Sequence, residues 1–241
     1  MMTLLLRLQG PLQAWGTQSR FEHRDTGREP SKSGVIGLLC AALGRPRHAP
    51  VDDLAALRMG VRVDREGLII REYQTAGGGL WRGQRYGVAK ADGARGDPVV
   101  SRRFFLADAS FLVGLEGDGP EQEALLRLLD QSLAAPRWPL FLGRKGCVPA
   151  VPPRLPEEPP YGPGLRVGAL REVLLRYPWP EQGGQPVREV RLVLEEPLGT
   201  RGDIRRDVPV SFAPEDRRYR ERTVRTEFVP APHSPINTLE G

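Results

Sequence analysis

Apolar and polar positions alternate from Thr3 to Gln9, with Leu4, Leu6 and Leu8 on one side and Thr3, Leu5, Arg7 and Gln9 on the other, which predicts a strand. The second side is mixed in character, as at a sheet surface that touches a ligand, and Gly10 and Pro11 end the run. From Pro30 to Gly44 the period changes. Val35, Ile36, Leu38, Leu39 and Leu43 recur at helical spacing, and Ser31 and Ser33 can accept hydrogen bonds from free N–H groups at a helix start. A short buried helix is expected there. Gly34 and Gly37 lower its intrinsic propensity, so either close packing compensates for them or a ligand approaches the backbone. Lys32 falls in the first turn, where a cation opposes the helix dipole, and so suits a site that receives an anion. The alternative is a well-packed helix whose basic residue faces water.

Further along, Asp52 to Met59 reads as a short amphipathic segment, and Gly60–Asp64, Leu68–Tyr73, Val99–Ala107 and Ser110–Leu115 read as strands. Pro120 to Ala134 predicts a second helix, with Pro120, Glu121 and Glu123 suited to its first turn. This order approximates an α+β, ferredoxin-like βαββαβ unit whose last strand lies either at Pro139–Leu142 or in a later segment. The proline-dense stretch from Pro136 to Pro160 favours extended, surface-hugging chain. Leu165–Arg176 is compatible with a short helix or a strand, Val187–Glu195 alternates like a strand, and Val229–Gly241 reads as loosely held.

Two connections stand apart from these elements. The first, between Pro11 and Ser31, carries Trp15, Arg20, Phe21, His23, Arg24 and Arg28. Aromatics beside arginines combine stacking with charge neutralisation, the pairing that single-stranded nucleic acid uses; alternatively Trp15 and Phe21 fold back onto the core while the arginines are solvated. The second runs from Thr75 to Val100, with glycine at 77, 78, 79, 83, 87, 93 and 96 interleaved with Trp81, Arg82, Arg85, Tyr86, Lys90 and Arg95. It reads as a projecting arm that orders on its partner, or as a plain flexible insertion. Arg144, Lys145 and Gly146 form a glycine-flanked basic turn suited to phosphates. From Thr200 to Arg225 arginines are mixed with acids, a pattern of solvated or protein-facing surface.

The chain of 241 residues can hold one large domain or two modest ones. Its formal charge of +5 and sequence pI near 9.6 favour an acidic partner. Lys32, Lys90 and Lys145 are the only lysines among 35 Lys and Arg, so the positive charge is almost wholly arginine, whose rigid fork suits phosphates and whose plane stacks on bases. Cys40 and Cys147 do not define a metal site, and the apolar start is too short and too soon interrupted by Arg7 for a signal peptide or membrane span. A cytoplasmic protein without metal or cofactor is expected.

No nucleotide-binding fingerprint occurs, because SKSG at 31–34 lacks the preceding glycine loop of a P-loop. His23, His48 and His233 have no metal-ligand spacing, and Asp52, Asp53 and Asp64 carry no specific Mg²⁺ signal. Metal-independent RNA cleavage would need a base and an acid about the scissile phosphate, and His23, Tyr86 and Lys90 are the trio available for it.

In this order, LLLRLQGPLQAWG at 4–16, REPSKSGVIGLLCAALG at 28–44, REYQT at 71–75, SRRFFLADASFLVGLEG at 101–117 and PRWPLFLGRKGC at 136–147 resemble the CasD family. This family supplies the small guide-RNA-capping subunit of the CRISPR complex Cascade, in the type I-E-like branch whose guide is cut by a separate endonuclease. The resemblance implies a ferredoxin-like, RNA-recognition-like domain over residues 1–150 with a thumb inserted near 77–98, and a small, variable, β-containing domain over 151–241. It implies a non-catalytic subunit that binds the 5′ repeat-derived tag and caps the helical backbone. Its partners would be the adjacent backbone subunit and the large subunit that reads the protospacer-adjacent motif, with target DNA engaged only indirectly. On position and charge, Arg20, Arg24, Lys32, Ser33, Arg102, Arg103, Arg144 and Lys145 would line the tag, and Trp81, Arg82, Arg85 and Tyr86 would act from the thumb. Two alternatives stay open: relatives in another subtype process the guide precursor themselves, and a protein-only structural bridge would touch RNA incidentally.

Overall fold

The alternating run at the start of the chain forms a strand whose two sides face different layers of the protein. The computed structural model describes residues 1–17, 22–77, 80–81, 84–85, 87–88, 96–158, 161–179 and 188–231. Along the chain it builds β1 (Met2–Gln9), β2 (Leu12–Gln13), β3 (His23–Arg24), α1 (Lys32–Leu43), α2 (Asp52–Ala56), β4 (Arg58–Arg65), β5 (Leu68–Ala76), β6 (Leu80–Trp81) and β7 (Gln84–Arg85). There follow β8 (Val99–Ala107), β9 (Ser110–Gly117), α3 (Gly119–Ala134), β10 (Leu165–Val167), α4 (Leu170–Arg176), β11 (Glu189–Glu196), β12 (Asp203–Ser211) and β13 (Arg218–Pro230).

Among the described residues the main sheet runs β10-β1-β9-β4-β11-β13-β12 with every neighbouring pair antiparallel. The chain is thus α+β. Leu4, Leu6 and Leu8 of β1, Met59, Val61 and Val63 of β4 and Phe111, Val113 and Leu115 of β9 pack beneath α1, α2 and α3. Val193, Val224 and Val208 of the last strands join the same core, and β12 packs on α1 and α2, so the sheet curls around these helices as a half-barrel. Of the two places open for a further strand, Pro139–Leu142 forms none, whereas the later segment supplies β10, which pairs with β1. Leu165–Arg176 is both of its expected elements in turn, a short strand and then α4.

The other side of β1 is not a ligand surface. Leu5 joins Leu112, Leu192 and Leu194 in a second apolar cluster covered by Leu170, Val173 and Leu174 of α4. Gly60 and Gly114 lie opposite one another in the register of β4 and β9, and a Cβ on either would sit within 3 Å of a Leu170, Leu174 or Leu194 methyl, so the helix can approach only over glycines. Arg62, fully buried, donates to Leu174 O at 2.7 Å and Tyr177 O at 2.6 Å, meeting the free carbonyls at the end of α4, while Asp64 Oδ1 accepts from its Nε at 2.7 Å.

Helix α1 begins and ends as its sequence predicts. Ser31 Oγ accepts from Gly34 N at 3.3 Å, a cap that contributes about 1 kcal/mol. Gly44 ends the helix with φ of 72°, donating its N–H to Ala41 O. The two internal glycines have different reasons. A Cβ on Gly34 would meet the Trp15 ring at 2.8 Å, whereas a Cβ on Gly37 would meet nothing within 4 Å.

The start of α1 is fastened to the last strands by buried charge. Asp207 Oδ2 accepts from Lys32 N at 2.8 Å, and Arg222 donates to both Asp207 oxygens at 2.6 and 2.9 Å. Lys32 Nζ donates to both Glu195 oxygens at 2.8 and 2.9 Å. Beside this cluster Glu29 accepts from Arg191 and Arg205, and Arg191 also pairs with Glu66. Burial opposes ionisation of Glu29 and Asp207, but their arginine partners outweigh it and hold both carboxyls below the usual range.

A carboxylate held below its unfolded value contributes stability at neutral pH that disappears as pH falls through its folded-state value. The melting temperature should therefore drop steeply below about pH 4, near the unfolded values of Asp and Glu. Burial pushes Asp64 in the opposite direction, so comparison with Asp207→Asn isolates the cluster. That variant should lose about 3 kcal/mol at pH 7 and show a flatter acid limb in thermal melts; equal stability and an unchanged acid limb would contradict the assignment.

Candidate nucleic-acid interface

A second, smaller sheet rises from the main one. Its centre is β8, with β5 along one side and β2 and β3 along the other. The β5–β8 pairing runs from Leu68↔Ala107 to Ala76↔Val99, so residues 77–98 join the two strands at the end of a long hairpin. Phe105 and Leu106 anchor β8 in the core.

Parallel pairing of β3 with β8 sets His23 beside Arg102 and Arg24 beside Arg103. Arg102 N also donates to Glu22 O at 2.8 Å. His23, Arg24 and Arg102 are exposed, while Arg103 is half-buried and donates from Nε to Ser101 Oγ at 3.1 Å. From the other strand, Tyr73 faces Arg102 in register with 66% of its surface exposed, and Glu72 faces Arg103. Directly opposed side chains on one sheet face lie close enough to interact. Tyr73 is thus an exposed ring beside an exposed guanidinium, and alternation alone, without the register, did not single it out.

The basic turn meets this cluster through Arg144, which donates to Phe104 O at 3.1 Å and to Arg24 O and Asp25 O, both at 2.9 Å. Its guanidinium lies 4.9 Å from the Phe105 ring centroid. Burial, with Arg103 and Arg24 nearby, disfavours its charge. Arg144 is therefore a clamp rather than a free phosphate ligand: it holds the β3 segment against β8. Lys145, next in the chain, is exposed.

The expectation for Lys32 is corrected, as that for Arg144 is, and of the two readings of Trp15 the core one holds. Lys32 is 1% exposed, with its ammonium turned inward onto Glu195, and burial pushes it below the usual lysine range; it cannot reach an external phosphate. The anion at the helix start is the protein's own Asp207. Trp15 is 1% exposed and donates from Nε1 to Gln13 Oε1 at 3.0 Å, so it belongs to the core and not to a stacking surface. Ser33 is half-buried, its Oγ 3.4 Å from Ser31 Oγ. Arg20, Phe21, Arg82, Tyr86, Lys90 and Arg95 lie outside the described residues, and Trp81 and Arg85 are described only as backbone of the β6–β7 pair. Of the trio suited to RNA cleavage, only His23 is therefore placed. No group of three or more metal-ligating side chains occurs among the described residues, and no helix among them is long and apolar enough to cross a membrane.

The chain matches the family model described as CRISPR-associated protein (Cas_Cas5) over residues 3–225. It is 34% identical over 155 residues to the CRISPR system Cascade subunit CasD of Escherichia coli (strain K12), a match covering 60% of this chain and 66% of that protein, just short of two thirds of its length. Among solved structures it is similar to a Cas protein known from a crystal structure, at 44% identity and TM-score 0.71, covering 97% of this chain and 99% of that one. It is also similar to a chain of a CRISPR RNA-guided surveillance complex, at 36% identity and TM-score 0.73, covering 95% and 91% of the two chains.

Replacing Arg144 with alanine leaves three carbonyls without their charged donor and should cost about 2 kcal/mol or more. Faster amide exchange should appear at residues 22–25 and 102–104, whereas Lys145→Ala should leave both stability and exchange unchanged. Undisturbed exchange in Arg144→Ala would show that it is not the clamp.

Proposed function

Because the chain belongs to the CRISPR-associated Cas5 family, we propose that it is the small Cascade subunit that binds the 5′ repeat-derived tag of the guide RNA and caps the helical backbone. The observation that carries this reading is that β3 and β8 pair side by side with Arg24 and Arg102 exposed and Tyr73 in register with Arg102, while the turn that clamps them through Arg144 carries the exposed Lys145. Guanidinium and ammonium groups neutralise phosphates whatever the sequence, and an exposed ring offers a face to a base. A tag of fixed sequence can be read by base contacts, whereas a variable guide is held only through its backbone. On this reading the subunit is non-catalytic. Sequence recognition would be confined to the 5′ end of the RNA.

The order β10-β1-β9-β4, with α1 and α3 as crossovers, supports a ferredoxin-like N-terminal unit. We read residues 77–98, at the end of the β5–β8 hairpin, as its thumb. Among the described residues strand β5 is paired on one side only, and it exposes Leu68, Ile69 and Ile70. An exposed apolar edge of this kind suits coverage by another protein, and we assign it to contacts within the assembly, with the adjacent backbone subunit or the large subunit that reads the protospacer-adjacent motif. Target DNA would be engaged through those partners.

Alanine at Arg24, Arg102 or Lys145 should weaken binding of all tag sequences alike and reduce the salt slope of affinity by about 1 for each contact removed. Lys32→Ala should lower thermal stability and leave the slope unchanged. Slopes equal to wild type in the first three variants would refute the phosphate assignment.

A further inference from the structure

Between α1 and the last strands lies an open groove of about 650 Å³, within the range of about 300–1,000 Å³ typical of ligand sites. Its floor is the outward face of α1, where Gly37 leaves the helix backbone bare. One wall is the segment after α3, pinned to the end of α1 by Arg137 N→Ala42 O at 3.0 Å and Trp138 N→Ala41 O at 3.1 Å. The other wall comes from the turn between β12 and β13. Trp138, Phe141 and Tyr219 present aromatic surface to the space, and Trp138 is 42% exposed. Burial pushes the Tyr219 hydroxyl up, which keeps it a neutral donor.

The charge around the groove has one sign. Arg47, Lys145 and Arg217 line it and are exposed, and none of its described lining residues is acidic. Arg45 also lines it, but both its terminal nitrogens are engaged by Asp53. Rings with a cationic rim and no carboxylate complement a base flanked by phosphates; they would leave the charges of a basic or neutral peptide unmatched. Lys145, which lines this groove, directly follows Arg144, whose guanidinium holds the β3 segment against β8, so the groove and the basic cluster are joined through one turn of the chain.

We propose that this groove is a binding site for unstacked bases of single-stranded RNA, with Trp138 as the stacking platform and Arg47, Lys145 and Arg217 on the flanking phosphates. It rests on the reading of the chain as an RNA-binding subunit and extends the RNA path from the hairpin cluster across α1. Gly37 is open for this purpose: any side chain there projects into the space a base would occupy. Gly34 lines the same groove but lies against the Trp15 ring, so of the two glycines only Gly37 has open space before it.

The test uses the full-length chain, a fluorescently labelled short single-stranded RNA, and the same sugar-phosphate backbone carrying abasic sites. Trp138→Ala and Gly37→Leu should each weaken binding of the base-containing RNA about tenfold and leave abasic binding unchanged. Gly37→Ala should bind more tightly than Gly37→Leu, and circular dichroism melts should report all three variants folded. Wild-type affinity of Trp138→Ala and Gly37→Leu for both RNAs would overturn the proposal while leaving the tag-binding reading intact. Retained RNA affinity with loss of co-purifying Cascade proteins would also overturn it, by making the groove a protein interface. Loss of binding in the groove variants with no effect at Arg24 and Arg102 would uphold the groove and sink the hairpin assignment. Failure of the wild-type chain to bind either RNA would sink both.

Discussion

The fold depends on one buried electrostatic junction, in which Asp207 closes the N-terminus of α1 while Lys32, Glu195 and Arg222 complete the charge around it. Charges removed from water are tolerated only when paired and hydrogen-bonded, and here each partner comes from a distant part of the chain. The Lys32–Asp207 bond spans 175 positions and joins the first helix to β12. With that bond in place, β12 packs on α1 and α2 and the sheet curls into a half-barrel instead of continuing as an open layer. The orientation of α1 follows, and with it the open face around Gly37.

A second constraint acts on the hairpin. Phe105 and Leu106 root β8 in the core, and the β3 segment, paired with β8 through its backbone, is held there further by Arg144, which gathers three carbonyls from two segments. Basic residues thus divide by direction: Arg144 and Lys32 are committed to the protein, while Lys145, Arg102 and Arg24 are exposed. The positive charge that reaches solvent is a fraction of what the composition counts, because many arginines, among them Arg62, Arg191, Arg205 and Arg222, are committed to internal pairs.

The elements with strong local signals were legible in the sequence. Helix α1 has its cap at Ser31, its period and its terminal Gly44; β1, β9 and α3 have clear alternation or spacing. Strand β10 was not, because three residues after a proline-dense stretch carry no period, and only pairing with β1 makes them a strand. Site residues were legible as charge but not as direction. Lys32 sits where an anion belongs, yet no local pattern says that Asp207 already supplies it. Arg144 and Lys145 are indistinguishable by type and spacing, and the carbonyls that capture one of them come from segments far away in sequence. Tyr73 and Trp138 gain meaning only from register and burial, Tyr73 opposite Arg102 and Trp138 along the groove.

The central claim is that this subunit holds the 5′ tag of a guide RNA inside a multi-protein assembly. Affinity purification of the chain from its native host, followed by sequencing of the RNA and identification of the proteins that accompany it, tests this most directly. The account predicts short RNAs that share one 5′ tag and diverge beyond it, together with repeated backbone subunits. An otherwise intact assembly that contains no such RNA would contradict it.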